Sequence, residues 1–124
     1  ENHILILKTF EFLSVYRSKG IKEVVLSPGS RNAPLLVSVA REKRLKHHVI
    51  VDERSAAFFA LGIAQQTGQT VALICTSGTA LLNYSPAVQK PITGIPLLVI
   101  SADRPSEWID QDDSQTIQQQ GGIM

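Results

Sequence analysis

A chain of 124 residues with 44% hydrophobic and 19% charged content has the length and composition of one ordinary globular domain. Its net charge of +1, with 6% aromatics that are not interleaved with the basic residues, gives no electrostatic or stacking case for nucleic acid. The single Cys75 lies inside "VALIC", which rules out a disulfide framework and predicts a buried thiol in a reducing compartment.

The longest near-continuous apolar run, Ala56 to Ala64, is about half the length a bilayer span requires. No charged segment followed by an apolar stretch opens the chain, so a soluble, cytoplasmic protein is expected. Both ends read as cut, since there is no Met at the start and "QQQGGIM" closely follows what reads as a new helix start.

In chain order, Leu5, Phe10, Phe12, Leu13, Val15 and Tyr16 predict an amphipathic helix ending near Gly20. "EVVLS" (23–27) is a short buried strand. "APLLVSVAREKR" (33–44) reads as a helix whose last turn places Arg41, Lys43 and Arg44 at the negative end of its dipole. "HHVIV" (47–51) is a second strand, and a helix from Arg54 to Thr67 closes on Gly68. "TVALIC" (70–75) is a third strand, Thr79 to Gln89 a helix and "IPLLVIS" (95–101) a fourth strand. No repeat, low-complexity segment or linker interrupts this alternation. Alternating strands and helices imply right-handed crossovers, and hence a three-layer α/β/α domain with a mainly parallel sheet.

In such a sheet the loops that follow strands gather on one edge, where ligands bind. Those loops are "SPGSR" (27–31), "DER" (52–54), "TSGT" (76–79) and "ADRP" (102–105), all polar and most punctuated by Gly or Pro. The opposite edge carries the plainer "GIKE", "RLKHH", "TGQT" and "TGIP". GxGxxG, GxxxxGK[ST] and GxSxG are all missing, which leaves a Rossmann dinucleotide site, a P-loop and a hydrolase elbow without support. His3, His47 and His48 have no metal-ligand spacing, and the His47/His48 pair reads as structural or solvated.

The helix after the second strand is apolar on nearly every side. Ala56, Ala60 and Ala64 form one stripe, and Phe58, Phe59, Leu61 and Ile63 cover most of the remaining circumference. One face can rest on the sheet. The other needs a second body, and the Ala stripe permits close helix approach, so a subunit interface is expected there; the alternative is a helix overlaid by further chain. Glu53 stands at the N-terminus of this helix, either as a first-turn acid serving the dipole or as a carboxylate facing a ligand.

A Glu after the second strand, a "TSGT" loop after the third and a partner-packed helix resemble the pyrimidine-binding domain of thiamine-diphosphate enzymes. More narrowly, "SPGSRNAPL", "DERSAAFFALGIA", "TSGTALLNYSPAV", "PLLVISADRP" and "SQTIQQ" are similar, in order, to the N-terminal domain of the 2-succinyl-5-enolpyruvyl-6-hydroxy-3-cyclohexene-1-carboxylate synthase family of menaquinone biosynthesis. Asn32 departs from the pattern, standing where that family often has Ser or Thr.

The resemblance implies that residues 1–124 are a pyrimidine-binding domain in which Glu53 is the catalytic residue, its carboxylate hydrogen-bonding a ring nitrogen of thiamine diphosphate and so shifting the cofactor's tautomer equilibrium. It implies that Thr76, Ser77 and Gly78 border the pyrimidine ring, although Ser77 or Thr79 could instead cap the helix that follows. Ser30, Arg31, Arg104 and Gln115 would bind the substrates 2-oxoglutarate and isochorismate, the two arginines as forks for carboxylates. Mg²⁺ and the diphosphate would be held by a separate C-terminal domain of the other subunit of a homodimer or homotetramer, leaving this chain inactive alone. The rival readings are another thiamine-diphosphate 2-oxoacid decarboxylase or synthase, and a non-catalytic flavodoxin-like module.

Overall fold

A computed structural model describes His3–Leu5 as backbone, Ser18, and residues 20–89 and 97–102. In chain order the elements are β1 (His3–Leu5), β2 (Glu23–Leu26), α1 (Ala33–Arg41), β3 (Lys46–Val49), α2 (Glu53–Thr67), β4 (Val71–Cys75), α3 (Thr79–Leu82), α4 (Ser85–Val88) and β5 (Leu97–Ser101). The strands form one five-stranded sheet in the order β1-β5-β4-β2-β3, and every pair is parallel.

Period-two alternation divides the sheet into two apolar faces. Val24, Leu26, Ala72, Ile74, Leu98 and Ile100 pack with Leu35 and Val39 of α1 on one side. Val25, Val71, Leu73, Cys75, Leu97 and Val99 pack with α2, α3 and α4 on the other. All five residues of β4 and of β5 are buried, as befits strands covered on both faces. The expected three-layer α/β/α arrangement is thus present. The chain leaves β2 for α1 on one face and β4 for α3 on the other, which opens a switch point between these neighbouring strands on their carboxyl edge.

Several element boundaries differ from the sequence expectation. Leu5 belongs to a short strand paired with β5 rather than to a helix, and Phe10 to Tyr16 lie outside the described residues. The β1 apolar run is too short to announce a strand by periodicity. Helix α1 stops at Arg41, where Glu42 turns to extended backbone; Arg41 alone meets the dipole, while Glu42 pairs with Arg44 at 3.0 Å. Strand β3 runs from Lys46 to Val49, starting and ending earlier than "HHVIV". The expected helix from Thr79 to Gln89 is two short helices: the Asn83 and Tyr84 N–H groups bond three residues back, to Ala80 and Leu81, and Pro86 has no N–H to carry the ladder across, while the buried Tyr84 places its hydroxyl on the β4 carbonyl of Ile74.

Helix α2 starts one residue earlier than expected, at Glu53, and closes as expected on Gly68 in the left-handed region, φ 67°. Its faces are assigned differently. Ala56, Ala57, Ala60, Leu61 and Ala64 are buried against the chain's own sheet, so the Ala stripe permits close approach of helix to sheet, not of subunit to subunit. The exposed side carries Phe58 and Phe59, at 46% and 44% accessibility. Among the described residues, no helix is long and apolar enough to cross a membrane.

Candidate functional site

The loops after β2, β3, β4 and β5 meet on the carboxyl edge. Ser27, fully buried, donates its backbone N–H to the Ile74 carbonyl at 2.8 Å and its hydroxyl to the Ile50 carbonyl at 2.9 Å, joining the first loop to the ends of β4 and β3. Ser101 donates its hydroxyl to the carbonyls of Thr76 at 3.2 Å and Ala102 at 2.9 Å, and the Ala102 N–H donates to the Cys75 carbonyl at 3.3 Å. These bonds fix the third loop against the fourth.

The first and third loops also touch through atoms that leave no spare room. A Cβ built on Gly29 would lie 2.5 Å from the Thr76 Cβ, so glycine is required for the "SPGSR" backbone to approach "TSGT". Gly78 takes φ 78°, a second glycine-favouring position, and leads into α3 with no side-chain cap. Neither Ser77 nor Thr79 is therefore a capping residue, which removes the competing role for Ser77. Ser77 is buried and Thr76 half-buried in this edge; Ser30 is exposed and Arg31 half-buried in the first loop.

Helix α2 begins here, and its cap is Asp52. The Asp52 carboxylate accepts the Ser55 N–H at 2.7 Å, the usual bond for an acid at this position. That backbone hydrogen bond, followed by the Ser55 hydroxyl and the Arg54 charge, holds its pKa below the ordinary carboxylate value despite slight opposing desolvation. Glu53 is the next residue, half-buried in the first turn, and its carboxylate has no hydrogen-bond or ion-pair partner among the described residues. With the cap already made by its neighbour, Glu53 presents an unspent acceptor at the positive end of α2.

Beneath Glu53 lie two buried groups that sequence reading gave no site role. Burial pushes the Cys75 thiol up to about 12, moderated by its side-chain interactions with Ser101 and Tyr84 and reinforced by the Glu53 charge. Burial likewise pushes the Tyr84 hydroxyl up, with the Cys75 and Glu53 charges adding to it. Both stay neutral at physiological pH, so the floor under Glu53 is a low-dielectric wall of neutral polar groups.

Of the eight residues expected at the site, Glu53, Thr76, Ser77, Gly78, Ser30 and Arg31 stand on this one edge; Arg104 and Gln115 lie outside the described residues. Asp52 and Tyr84 carry no expectation from the sequence, and Asn32 is marked there only as a departure from the family pattern. Asp52 was legible as an acid three positions before a helical N–H. Tyr84 gave no signal, since an aromatic in an apolar run is ordinarily core. His48 packs edge-on against Phe59, ring centroids 5.2 Å apart, with its Nε2 3.5 Å from Glu23, away from the carboxyl edge. An open groove bounded by Lys22, Glu23, Lys43, Arg44 and Lys46 lies at the opposite edge and contributes nothing to the loop cluster. Among the described residues, no group of three His, Cys, Asp or Glu could hold a metal ion.

Comparison with known proteins gives consistent relatives. The chain is 56% identical over 112 residues to the 2-succinyl-5-enolpyruvyl-6-hydroxy-3-cyclohexene-1-carboxylate synthase of Porphyromonas gingivalis, covering 90% of this chain and 19% of that one. It is 59% identical over 102 residues to the synthase of the same name from Cytophaga hutchinsonii, covering 82% and 18%. The corresponding Flavobacterium johnsoniae synthase is 55% identical over 109 residues, covering 87% and 20%. The chain therefore spans about a fifth of the length of the relatives it matches. Among solved structures, the thiamine diphosphate-dependent 4-hydroxybenzoylformate decarboxylase of Rhodococcus jostii RHA1 superposes with a TM-score of 0.78 at 19% identity over 94% of this chain and 22% of that one, which establishes the shared fold. Residues 11–122 match the family described as thiamine pyrophosphate enzyme, N-terminal TPP binding domain, and the chain belongs to that family.

Proposed function

We propose that this chain is the pyrimidine-binding part of a thiamine-diphosphate-dependent synthase that decarboxylates 2-oxoglutarate and joins the remaining carbon unit to isochorismate. The product would be 2-succinyl-5-enolpyruvyl-6-hydroxy-3-cyclohexene-1-carboxylate, a menaquinone precursor. The observation that carries the reading is Glu53, a carboxylate on the carboxyl edge with no partner among the described residues, in a chain 56% identical to a synthase of that name.

The edge fits an aminopyrimidine. The Glu53 carboxylate would hold a protonated ring nitrogen, and beside neutral Cys75 and Tyr84 that hydrogen bond would keep more of its strength than in water. Thr76, Ser77 and Gly78 allow a flat ring to approach the backbone closely. When bound, thiamine diphosphate supplies the nucleophilic carbon and the electron sink for 2-oxoacid decarboxylation. Glu53 holds the proton at the ring nitrogen, and with it the charge state of the cofactor's amino group. Ser30 and Arg31 receive substrate carboxylates from the first loop, with Arg104 and Gln115 assigned the same task by family position. Mg²⁺ and the diphosphate fall to parts of the protein beyond this chain.

The test is an assay of the full-length protein with thiamine diphosphate and Mg²⁺. Carbon dioxide release is expected from 2-oxoglutarate, with product formation requiring isochorismate. Turnover of pyruvate or 4-hydroxybenzoylformate in preference to 2-oxoglutarate would replace this reading with that of another 2-oxoacid enzyme.

A further inference from the structure

The first loop is held closed by one side chain. Asn32 is fully buried, and its carboxamide is used at both ends: Nδ2 donates to the Ser27 carbonyl at 2.8 Å, and Oδ1 accepts the Gly29 N–H at 2.9 Å. Its own carbonyl accepts the Leu36 N–H at 3.0 Å and starts α1. A Ser or Thr hydroxyl is shorter and carries one donor, so it cannot bridge both sites.

The two atoms that Asn32 grips belong to residues already fixed elsewhere. Ser27 is bonded to Ile74 and Ile50, and Gly29 abuts Thr76 with no space for a methyl group. Residues 27 to 32 therefore form a ring with three anchors, and Ser30 and Arg31 are the residues between its last two. A small rotation of that ring is magnified along the Arg31 side chain, and bidentate capture of a carboxylate tolerates little misalignment.

We infer that Asn32 is a positioning residue that aims the Ser30–Arg31 pair at the substrate carboxylate, with the Gly29–Thr76 contact as its counter-support. This rests on the reading that Ser30 and Arg31 bind substrate. Asn32 touches neither substrate nor cofactor in this scheme; it acts through the loop.

The experiment uses the full-length protein with Asn32→Ala, Asn32→Asp and Arg31→Gln, reading substrate KM, kcat, the dissociation constant of thiamine diphosphate with Mg²⁺, and melting temperature. Asn32→Ala should raise substrate KM roughly 10- to 100-fold while cofactor affinity stays within about twofold. Asn32→Asp keeps the volume and the acceptor for Gly29 but turns an acceptor toward the Ser27 carbonyl. Its KM defect should shrink, relative to the unsubstituted protein, as falling pH restores a donor proton. That variant decides the matter should Asn32→Ala fail to fold. A lowered melting temperature with unchanged substrate KM, or an Asn32→Asp defect that does not depend on pH, overturns the inference. If Arg31→Gln raises KM and the Asn32 variants do not, the inference alone falls; if Arg31→Gln leaves KM unchanged, the substrate reading falls with it.

Discussion

At the scale of single residues, the carboxyl edge separates two adjacent acids into two tasks. Asp52 serves the helix and Glu53 is left over, and that division is local geometry, since only the first places its carboxylate on the Ser55 N–H. Below them, Cys75 shows how burial sets reactivity. With its thiol pushed up from 9.0 to about 12, it keeps its proton where an unfolded thiol loses it. Stability from this group is complete below pH 9 and declines as pH rises toward 12, by about 1.4 kcal/mol per pH unit within that window. Tyr84, also raised, adds a decline of the same sign above its ordinary value. Cys75 should resist thiol reagents at pH 8 until the protein is unfolded, and Cys75→Ala should flatten the loss of unfolding free energy between pH 9 and 10. Denaturant titrations across that range check this, and an unchanged slope would contradict the assigned burial.

At the scale of elements, the sequence announced the sheet well because β2, β4 and β5 are short apolar runs with turn residues on either side, as fully covered strands must be. The carboxyl-edge loops were legible for the same reason, since parallel order alone brings "SPGSR", "DER" and "TSGT" together. What escaped was decided by tertiary contact. The break at Asn83–Tyr84 falls where Pro86 supplies no N–H to continue the ladder and where the Tyr84 hydroxyl is drawn to a strand carbonyl ten residues away. The facing of α2 is not legible in the sequence, because an apolar circumference does not say which side meets the sheet. Ala60 is fully buried on the sheet-facing side of α2, so Ala60→Glu should destabilise the fold itself by roughly 3 to 5 kcal/mol, the cost of an uncompensated buried charge, and not merely weaken association. A well-folded Ala60→Glu monomer, judged by its melting temperature, would return the Ala stripe to an intersubunit role.

At the scale of the whole molecule, the chain presents a compact sheet with one apolar helix flank. Val49, Val51 and Phe58 are exposed around β3 and the outer side of α2, at 57%, 77% and 46% accessibility. The subunit contact expected from the apolar circumference of α2 would have to use this flank, since the Ala stripe is spent on the sheet, and Phe58→Asp is the variant that addresses it without entering the core. Sedimentation should show a smaller assembly with a preserved circular dichroism spectrum; an unaltered assembly would place the contact elsewhere.

The central claim is that Glu53 holds the proton at the cofactor's ring nitrogen, and exchange of the thiazolium C2 proton in full-length Glu53→Gln tests it most directly. The variant keeps size and most hydrogen-bonding capacity but loses the charge. Exchange should slow by roughly 10²- to 10⁴-fold, the range of a positioned acid or base, with melting temperature nearly unchanged because Asp52 still caps α2. Unimpaired exchange in a destabilised protein would contradict the account and return Glu53 to the helix.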